Sequence, residues 1–435
     1  MNEFVQVFPE NWQKNYENKG FITPSLIQQA VFQPLSNKQS IVAISPTGSG
    51  KTLAYLWPLL LNVEPGEASA LVIFASSQEL AIQVADVARE WGKDKELKVQ
   101  SLVGGANVKR QIEGLKKKPE ILIGTPGRIL ELMKAKKIKA HQVKTMVFDE
   151  ADQLFDAGNS QIIDQILHQA PTEYQLAFFS ATADRSLESI EKITGKTFET
   201  IDVTAEDDSR KGLRHYFLRV PIRKKDEYLR RLTHIEDFQG LIFFNQLTEL
   251  GVMEEKLLYR GVPVGSLASD QNKLLRKAAL EQFKKKKISA LLTTDVAARG
   301  LDITGLPYVV NAEVPLSEEA YLHRSGRTGR MGNEGTVITL VQDNNLRDLK
   351  RLLRPTNITL EEIFLHGGKL QTDQPIKEDV ATAANNKYKK SFPGKEQNPE
   401  HNKNKSRKKV KNKSKKERNK GDKYRWITKK YHKMW

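Results

Sequence analysis

Short apolar runs rich in β-branched residues recur along the chain, and they limit its possible folds more than any other feature. The runs of the first half are IVAI, LVIF, ILIG, TMVFD and LAFFS, at 41–44, 71–74, 121–124, 145–149 and 176–180. Those of the second half are LIFF, ALLTT, YVVN and TVITL, at 241–244, 290–294, 308–311 and 336–340. Runs of this length, separated by segments long enough for helices, are typical of buried parallel strands. They predict an α/β protein.

Two domains and an extension are expected, because 435 residues exceed the usual size of one domain. The polar stretch EDDSRKG at 206–212 separates the two strand series. We therefore place a boundary near residue 208 and predict domains at 1–207 and 208–370. The stretch from about Thr356 to Asn385 is predicted to be a final helix and a fraying exit. Residues 371–435 are predicted to be a disordered tail, since a sequence rich in lysine and asparagine buries too little apolar area to fold alone.

The net charge of +17 is concentrated in that tail. From Asn385 to Trp435 there are twenty lysines and arginines and four acidic residues, so the tail carries +16. Aromatic residues are interleaved with these charges: Tyr388, Phe392, Tyr424, Trp426, Tyr431 and Trp435. Cationic and stacking groups together favour a segment that binds a polyanion. The alternative is a solvated tail that only keeps the protein soluble.

The absence of cysteine excludes disulfides and thiolate metal sites. The N-terminus lacks a basic flank followed by an apolar run, and no later stretch approaches ~18 consecutive apolar residues. We expect a cytoplasmic protein without a membrane partner.

A glycine-rich segment, SPTGSGKT, follows the run IVAI and precedes the apolar, helix-like LAYLWPLLL. This strand, loop and helix context predicts a phosphate-binding loop for a nucleotide. Gly48 and Gly50 would let backbone amides approach the phosphates, Lys51 would meet the β and γ charge, and Thr52 would reach Mg²⁺. The loop comprises Ser45, Pro46, Thr47, Gly48, Ser49, Gly50, Lys51 and Thr52.

Two adjacent carboxylates stand where the run TMVFD ends: Asp149 is its last residue and Glu150 follows it. The carboxyl ends of strands in open α/β sheets face the ligand crevice. We assign Asp149 to Mg²⁺, mostly through water, and Glu150 to orienting and deprotonating the attacking water. A solvated acidic helix start is the alternative, which the phosphate loop upstream makes less favourable.

Further motifs follow in a fixed order: DEAD at 149–152, SAT at 180–182, ARGLDI at 298–303 and HRSGRTGR at 323–330. Together with the phosphate loop they resemble the DEAD-box ATP-dependent RNA helicases, a superfamily-two group built from two RecA-like domains. The resemblance covers residues 1 to about 368. It implies two tandem RecA-like domains, parallel sheets flanked by helices, followed by the basic tail, and an RNA-stimulated ATPase that uses ATP and Mg²⁺.

In the ATP site, the resemblance assigns the segment GFITPSLIQ at 20–28 to recognition of adenine. Gln28 would read the base edge, with Phe4 and Phe21 as candidate aromatic neighbours that could equally be core residues. Asp302 would face the ribose. Arg327 and Arg330 resemble arginines that reach the γ-phosphate from the opposite domain.

The resemblance also implies an RNA track across both domains, where backbone and hydroxyl groups hold the sugar-phosphate chain. Its candidate residues are Gly104, Gly105, Thr125, Pro126, Gly127, Arg128, Arg276, Thr294 and Arg299. The segment SSQELAIQ departs from the usual PTRELAxQ pattern, with Ser76 for proline and Gln78 for arginine. This removes a cation and predicts a weaker contact there, with Ser77 and Glu79 kept as sites. Ala268, Ser269 and Lys273 also depart from the family's residues.

Coupling between the domains is expected from Asp152, Ser180, Thr182, His323 and Arg324, and His323 would link to the SAT segment rather than perform acid–base chemistry. Two other functions stay open on the sequence: an ATP-gated RNA clamp that unwinds nothing, and a DNA-directed translocase. The lysine-rich tail and short core look similar to bacterial members associated with the cold-shock stress response, ribosome assembly and RNA decay.

Overall fold

All nine apolar runs are strands in the structure, a computed structural model of the chain. It describes residues 3–155, 159–171, 173–182, 190–191, 193–207, 212–268, 271–298, 303, 305–329, 334–356 and 358–373. Fourteen of its strands form two seven-stranded sheets in which neighbouring strands run parallel, so the predicted α/β fold is confirmed.

The first sheet has the strand order β3-β4-β2-β5-β6-β1-β7. Its strands are β1 Ile41–Ile44, β2 Leu71–Phe74, β3 Val99–Leu102, β4 Ile121–Gly124, β5 Thr145–Asp149, β6 Gln175–Ser180 and β7 Glu199–Asp202. The four strands β1, β2, β4 and β6 are buried along their whole length, whereas β7 at the edge is largely exposed. The edge strands β3 and β7 lack a continuous apolar run, which explains why the sequence did not predict them.

The second sheet has the order β10-β11-β9-β12-β13-β8-β14. Its strands are β8 Leu213–Arg219, β9 Gly240–Phe244, β10 Val264–Leu267, β11 Ala290–Thr294, β12 Tyr308–Asn311, β13 Gly335–Val341 and β14 Leu360–Glu362. The predicted boundary near residue 208 lies outside the described residues, in the segment between β7 and β8.

Helices cover both faces of each sheet. Those of the first domain are α1 Glu3–Gln6, α2 Glu10–Asn18, α3 Leu26–Ser36, α4 Lys51–Asn62, α5 Gln78–Gly92, α6 Val108–Leu115, α7 Pro126–Lys134, α8 Ala151–Leu154 and α9 Ser160–Leu167. Those of the second are α10 Lys225–Leu232, α11 Leu247–Tyr259, α12 Lys273–Lys284, α13 Asp295–Ala298, α14 Glu318–Ser325 and α15 Leu346–Leu352. In the described part of the chain, none of these helices has the length and apolar character that a membrane crossing requires.

The core of each domain consists of two apolar layers, one on each face of its sheet. In β1, Ile41 and Ala43 pack into one layer while Val42 and Ile44 pack into the other, because successive strand residues point to opposite faces. Aromatic rings dominate the layer beneath the N-terminal helices, where Trp57 packs edge-on to Trp91 with ring centroids 5.4 Å apart. Such burial of large aromatic groups stabilises this layer of the core.

The predicted final helix from Thr356 was wrong for the described residues. There the chain forms β14 beside β8, followed by an antiparallel hairpin of β15 Phe364–His366 and β16 Lys369–Gln371. Gly367 and Gly368 in the turn both have positive φ, at 57° and 76°. Two consecutive left-handed residues make a tight hairpin turn, and a glycine pair favours it. The predicted tail beyond residue 373 lies outside the described residues.

Candidate active site

The glycine-rich loop joins β1 to α4 at the carboxyl edge of the first sheet. Gly48 and Gly50 have φ of 91° and 93°, a left-handed region that glycine adopts without steric cost. Gly50 is the N-cap of α4, so the helix begins at Lys51. The Lys51 ammonium donates to the carbonyls of Ser45 and Pro46, at 2.7 and 2.9 Å. The predicted loop residues therefore wrap around their own lysine.

Asp149, at the end of β5, is buried beside this loop. The Tyr55 hydroxyl of α4 donates to its Oδ2 at 2.9 Å, and the Glu150 backbone N–H donates to its Oδ1 at 3.0 Å. Burial and the neighbouring charge of Glu150 raise the pKa of Asp149 to about 6. Tyr55 was missed by sequence reasoning; its only signal was its place one helical turn beyond Thr52.

Glu150 occupies a backbone conformation that is uncommon for a residue with a side chain, with φ of 53°. Its carbonyl accepts the backbone N–H groups of Gln153 and Leu154, so the residue starts α8. Its side chain accepts a hydrogen bond from the hydroxyl of Ser76. Ser76 was expected only as a departure from a family pattern, and the structure places it against the predicted catalytic base.

The residues predicted to hold Mg²⁺ suit that ion chemically. The Thr52 hydroxyl and the Asp149 carboxylate are hard oxygen donors, and both line one cavity. Across the described residues, no group of three or more His, Cys, Asp or Glu side chains could form a protein-only metal cage. Mg²⁺ is usually bound by one or two carboxylates together with substrate phosphates and water, which fits this small donor set.

Helix α14 of the second domain reaches the glycine-rich loop. The Thr47 hydroxyl donates to the Leu322 carbonyl at 3.4 Å, and a Cβ added to Gly326 would lie 2.0 Å from that hydroxyl oxygen. Arg327 follows and lines the same cavity of about 380 Å³ as Lys51 and Glu150. Burial lowers the pKa of Arg327, and the charge of Glu150 acts in the opposite direction. Predicted residues of both domains thus share one cavity.

The predicted adenine residues lie at different depths. Phe21 lines the cavity and packs edge-on against Tyr16, whereas Phe4 packs against Phe32 in the core. Gln28 is 7% exposed, and its side chain accepts from the Ser25 N–H at 2.9 Å and donates to the Gly50 carbonyl at 3.3 Å. Gln28 therefore braces the glycine-rich loop, and its reading of adenine stays a prediction.

Of the residues predicted to couple the domains, Asp152 and His323 of α14 lie close together. Gln153 of α8 donates to the Nδ1 atom of His323 at 3.0 Å, and the Nε2 atom lies 3.4 Å from Asp152 Oδ2. Burial by itself raises the pKa of Asp152, but His323, the charge of Lys51 and the Gln153 backbone N–H together outweigh burial, so the pKa is lowered. Both Asp152 and Gln153 belong to α8, so this contact ties the acidic motif to the second domain. Gln153 was not predicted.

The SAT residues lie beside the glycine-rich loop. The Ser45 N–H donates to the Ser180 carbonyl at 3.1 Å, and the Ser180 hydroxyl donates to the Thr182 carbonyl at 2.8 Å. Their contacts thus run within the first domain.

Arg324 differs from its neighbours on α14 because it is 1% exposed and bound inside the second domain. It donates to both oxygens of Asp295 at 2.6 Å, to Asn311 at 3.2 Å and to Asn245 at 2.8 Å. Its guanidinium also lies over the Phe243 ring, 5.2 Å from the centroid. These partners anchor α14 to its sheet, while the interdomain role of Arg324 stays a prediction.

The predicted RNA loops stand at the ends of neighbouring strands. Thr125 is the N-cap of α7 and Pro126 its first residue; Arg128 pairs with Glu131 at 2.9 Å and keeps an unpartnered buried Nη1 group. Gly105 has a positive φ of 64°. The other predicted glycines on these loops are Gly104 and Gly127.

The second-domain part of the RNA track contacts the first domain. Arg276 on α12 donates to the Ala297 carbonyl at 2.7 Å and lies 3.6 Å from Glu79, which faces it from α5. Thr294 ends β11 and is buried. Arg299, Asp302 and Arg330 lie outside the described residues.

Comparisons with known proteins agree with this arrangement. Residues 25–190 match the DEAD/DEAH box helicase family, and residues 224–332 match the helicase conserved C-terminal domain. The probable ATP-dependent RNA helicase YfmL of Bacillus subtilis is 40% identical over 361 residues, covering 83% of this chain and 96% of the relative. The DEAD-box ATP-dependent RNA helicase CshC of Bacillus cereus is 37% identical, with 81% and 91% covered.

Solved structures show the same fold. S. cerevisiae Dbp5 bound to RNA and ADP BeF3 has a TM-score of 0.72 at 28% identity, covering 82% of this chain and 94% of that one. Mss116p bound to ssRNA and AMP-PNP has a TM-score of 0.71 at 22% identity, with 83% and 78% covered.

The fold and the shared cavity define a tandem RecA-like ATPase. The identity to full-length relatives narrows this class: the chain belongs to the DEAD-box family of ATP-dependent RNA helicases.

Proposed function

We propose that this helicase couples RNA-stimulated ATP hydrolysis to local unwinding or remodelling of RNA duplexes and ribonucleoproteins. The observation that carries the proposal is one cavity lined by Lys51, Asp149 and Glu150 from the first domain and by Arg327 from the second. Hydrolysis then depends on both domains, so a ligand that holds them together controls turnover.

Each group has a distinct role in this proposal. Lys51 leaves its loop carbonyls to meet the β- and γ-phosphates. Thr52 and Asp149 would hold Mg²⁺, which would neutralise developing phosphate charge. Glu150 orients the attacking water and accepts its proton. Arg327, with Arg330, stabilises charge on the transferred phosphoryl group from the opposite domain. Phe21 packs against the base.

RNA enters the proposal as the ligand that favours closure. Contacts from the loops at 104–105 and 125–128 and from Arg276 would fall on the sugar-phosphate backbone, so little sequence preference is expected. The ion pair between Arg276 and Glu79 supports this placement, because it brings the two halves of the predicted track within 3.6 Å. A cleft that accepts only bent, unpaired RNA would open a short duplex locally.

Substitutions at the ATP site test the proposal. Lys51→Ala and Glu150→Gln are each expected to lower RNA-stimulated turnover by about 10²-fold or more. Strand displacement should fall in parallel. Wild-type turnover in either variant would refute the assignment, and intact ATPase activity without strand displacement would identify an RNA clamp instead. Stimulation by DNA as strong as by RNA would identify a DNA translocase.

The basic tail is proposed to anchor structured RNA without sequence preference. Neutralised phosphates release counterions, so deleting residues 385–435 should flatten the salt dependence of RNA affinity. An unchanged slope of log affinity against log salt would leave the tail a solubilising segment. The cytoplasmic location and a role in cold adaptation, ribosome assembly or RNA decay stay predictions.

A further inference from the structure

Ser76 stands where the PTRELAxQ pattern has proline, and strand register places it beside Glu150. In the parallel pair of β2 and β5, Phe74 is the partner of Phe148. Two residues further along each chain, Ser76 and Glu150 leave the sheet side by side. The Ser76 hydroxyl donates a hydrogen bond to Glu150 Oε2, a contact that proline, which has no hydroxyl, would not make.

The hydrogen bond from Ser76 restricts the one part of Glu150 that the backbone does not fix. The backbone of Glu150 is fixed as the start of α8, through its carbonyl and the N–H groups of Gln153 and Leu154. Only the side chain of Glu150 can therefore still rotate. It interacts with the charges of both Asp149 and Arg327. A donor bound to one carboxylate oxygen restricts that rotation and leaves the other oxygen for a further partner.

We propose that Ser76 is a positioning residue for hydrolysis, holding the Glu150 carboxylate where it orients the attacking water. This inference rests on the proposed role of Glu150 as the base. As the water oxygen bonds to the γ-phosphorus and the bond to the ADP oxygen breaks, the water proton passes to the free oxygen of Glu150. The Ser76 hydroxyl keeps its proton throughout. Serine in place of proline thus adds a hydrogen bond to Glu150, whereas the weaker RNA contact predicted for this segment depends on the cation that Gln78 lacks.

Three substitutions separate the hydroxyl from the volume of the side chain. Ser76→Ala removes the hydroxyl. Ser76→Val and Ser76→Thr have side chains of nearly equal shape, but only threonine carries a hydroxyl. Loss of a hydrogen bond to a charged group is expected to lower the RNA-stimulated kcat about tenfold in the alanine and valine variants. The KM for ATP and the Kd for RNA should stay within about twofold, because ground-state binding is untouched. Threonine should retain kcat within about threefold.

Ser160→Ala is the matched control. The half-buried Ser160 hydroxyl donates to the Phe155 carbonyl at 3.4 Å, and neither residue lines the cavity. A wild-type kcat in Ser76→Ala overturns the inference. So does a threonine variant as impaired as the valine variant, which would show that packing matters instead of the hydroxyl. Full turnover in Glu150→Gln would refute the proposed base itself and remove the inference with it, so the two failures are distinguishable.

Discussion

The two domains share one scaffold and differ in the residues at the ends of their strands. Numbered within each domain, the strands of both sheets have the order third, fourth, second, fifth, sixth, first and seventh. In the first domain, the first strand leads into the glycine-rich loop and the fifth ends at Asp149. In the second, the corresponding β8 leads into Val220 and Pro221, and β12 ends at Asn311, an amide in place of a carboxylate. Equal topology therefore does not imply equal chemistry.

In the second sheet, the polar residues at the strand ends bind the side chain of an arginine from the same domain. Asn245 follows β9, Asp295 follows β11 and Asn311 ends β12, three neighbouring strands whose ends converge on Arg324. This network fixes α14, and the same helix carries His323, with Arg327 two residues beyond its end, to the first domain. The first domain thus supplies the glycine-rich loop and the carboxylates of the shared cavity, and the second supplies the helix end that lies against them.

The largest effect is expected from removing Arg327, the second-domain arginine that lines the cavity. Arg327→Ala is expected to lower the RNA-stimulated kcat by about 10³-fold, because a guanidinium reaching the γ-phosphate contributes that order of rate. Single-turnover ATP hydrolysis with saturating RNA measures it. Arg351→Ala, at an exposed ion pair with Asp348, is the control and should leave kcat unchanged. A loss of less than tenfold in Arg327→Ala would mean that the second domain does not complete the site.

Removing Arg324 should instead act on stability. Arg324→Ala leaves Asp295 without its cation and removes bonds to two asparagines, which is expected to lower the free energy of unfolding by about 3 kcal/mol. Denaturant unfolding, with hydrogen exchange followed in β9 and β12, measures this loss. If exchange in those strands does not accelerate, the network is not what fixes α14.

Neutralising Asp149 is expected to stabilise the fold, because this carboxylate is charged in a place where burial disfavours its charge. Because the pKa of Asp149 is raised to about 6, the folded state binds this proton more tightly than the unfolded chain. The group therefore costs stability as pH rises from about 4 to 6, and the cost persists above 6. Asp149→Asn should raise the unfolding free energy without nucleotide at pH 8 by about 1–3 kcal/mol. A gain equally large at pH 4 would contradict ionisation as the cause.

The smallest effect is expected from Tyr55→Phe. The Tyr55 hydroxyl bond favours ionised Asp149 and so lowers its pKa, against the larger effect of burial. Without that bond the pKa of Asp149 should rise, and the acid limb of the ATPase pH profile should move to higher pH by up to about one unit. At higher Mg²⁺ the acid limb should shift to lower pH in both the wild type and the variant, since the ion competes with the proton. An unmoved limb at limiting Mg²⁺ would exclude Asp149 as the titrating group.

Sequence reasoning found elements with strong local signals and missed those without them. Every buried strand with an apolar run was predicted, whereas β14 and the hairpin after it were taken for a helix. The sequence did contain a signal for the hairpin, because the pair Gly367 and Gly368 favours a hairpin turn. Exposed or half-buried strands carry too weak a pattern to be read without their neighbours.

The candidate site divides in the same way. The sequence alone identifies Lys51, Asp149 and Glu150, because a glycine-rich loop and carboxylates at a strand end are local patterns. Buried parallel strands bring their carboxyl ends to one edge of the sheet, so these residues are expected to lie near one another. Which side chain meets another across that edge depends on strand order and register, which long-range packing sets. The bonds from Ser76 to Glu150 and from Gln28 to Gly50, and the Arg324 network, were therefore decided only by the tertiary structure.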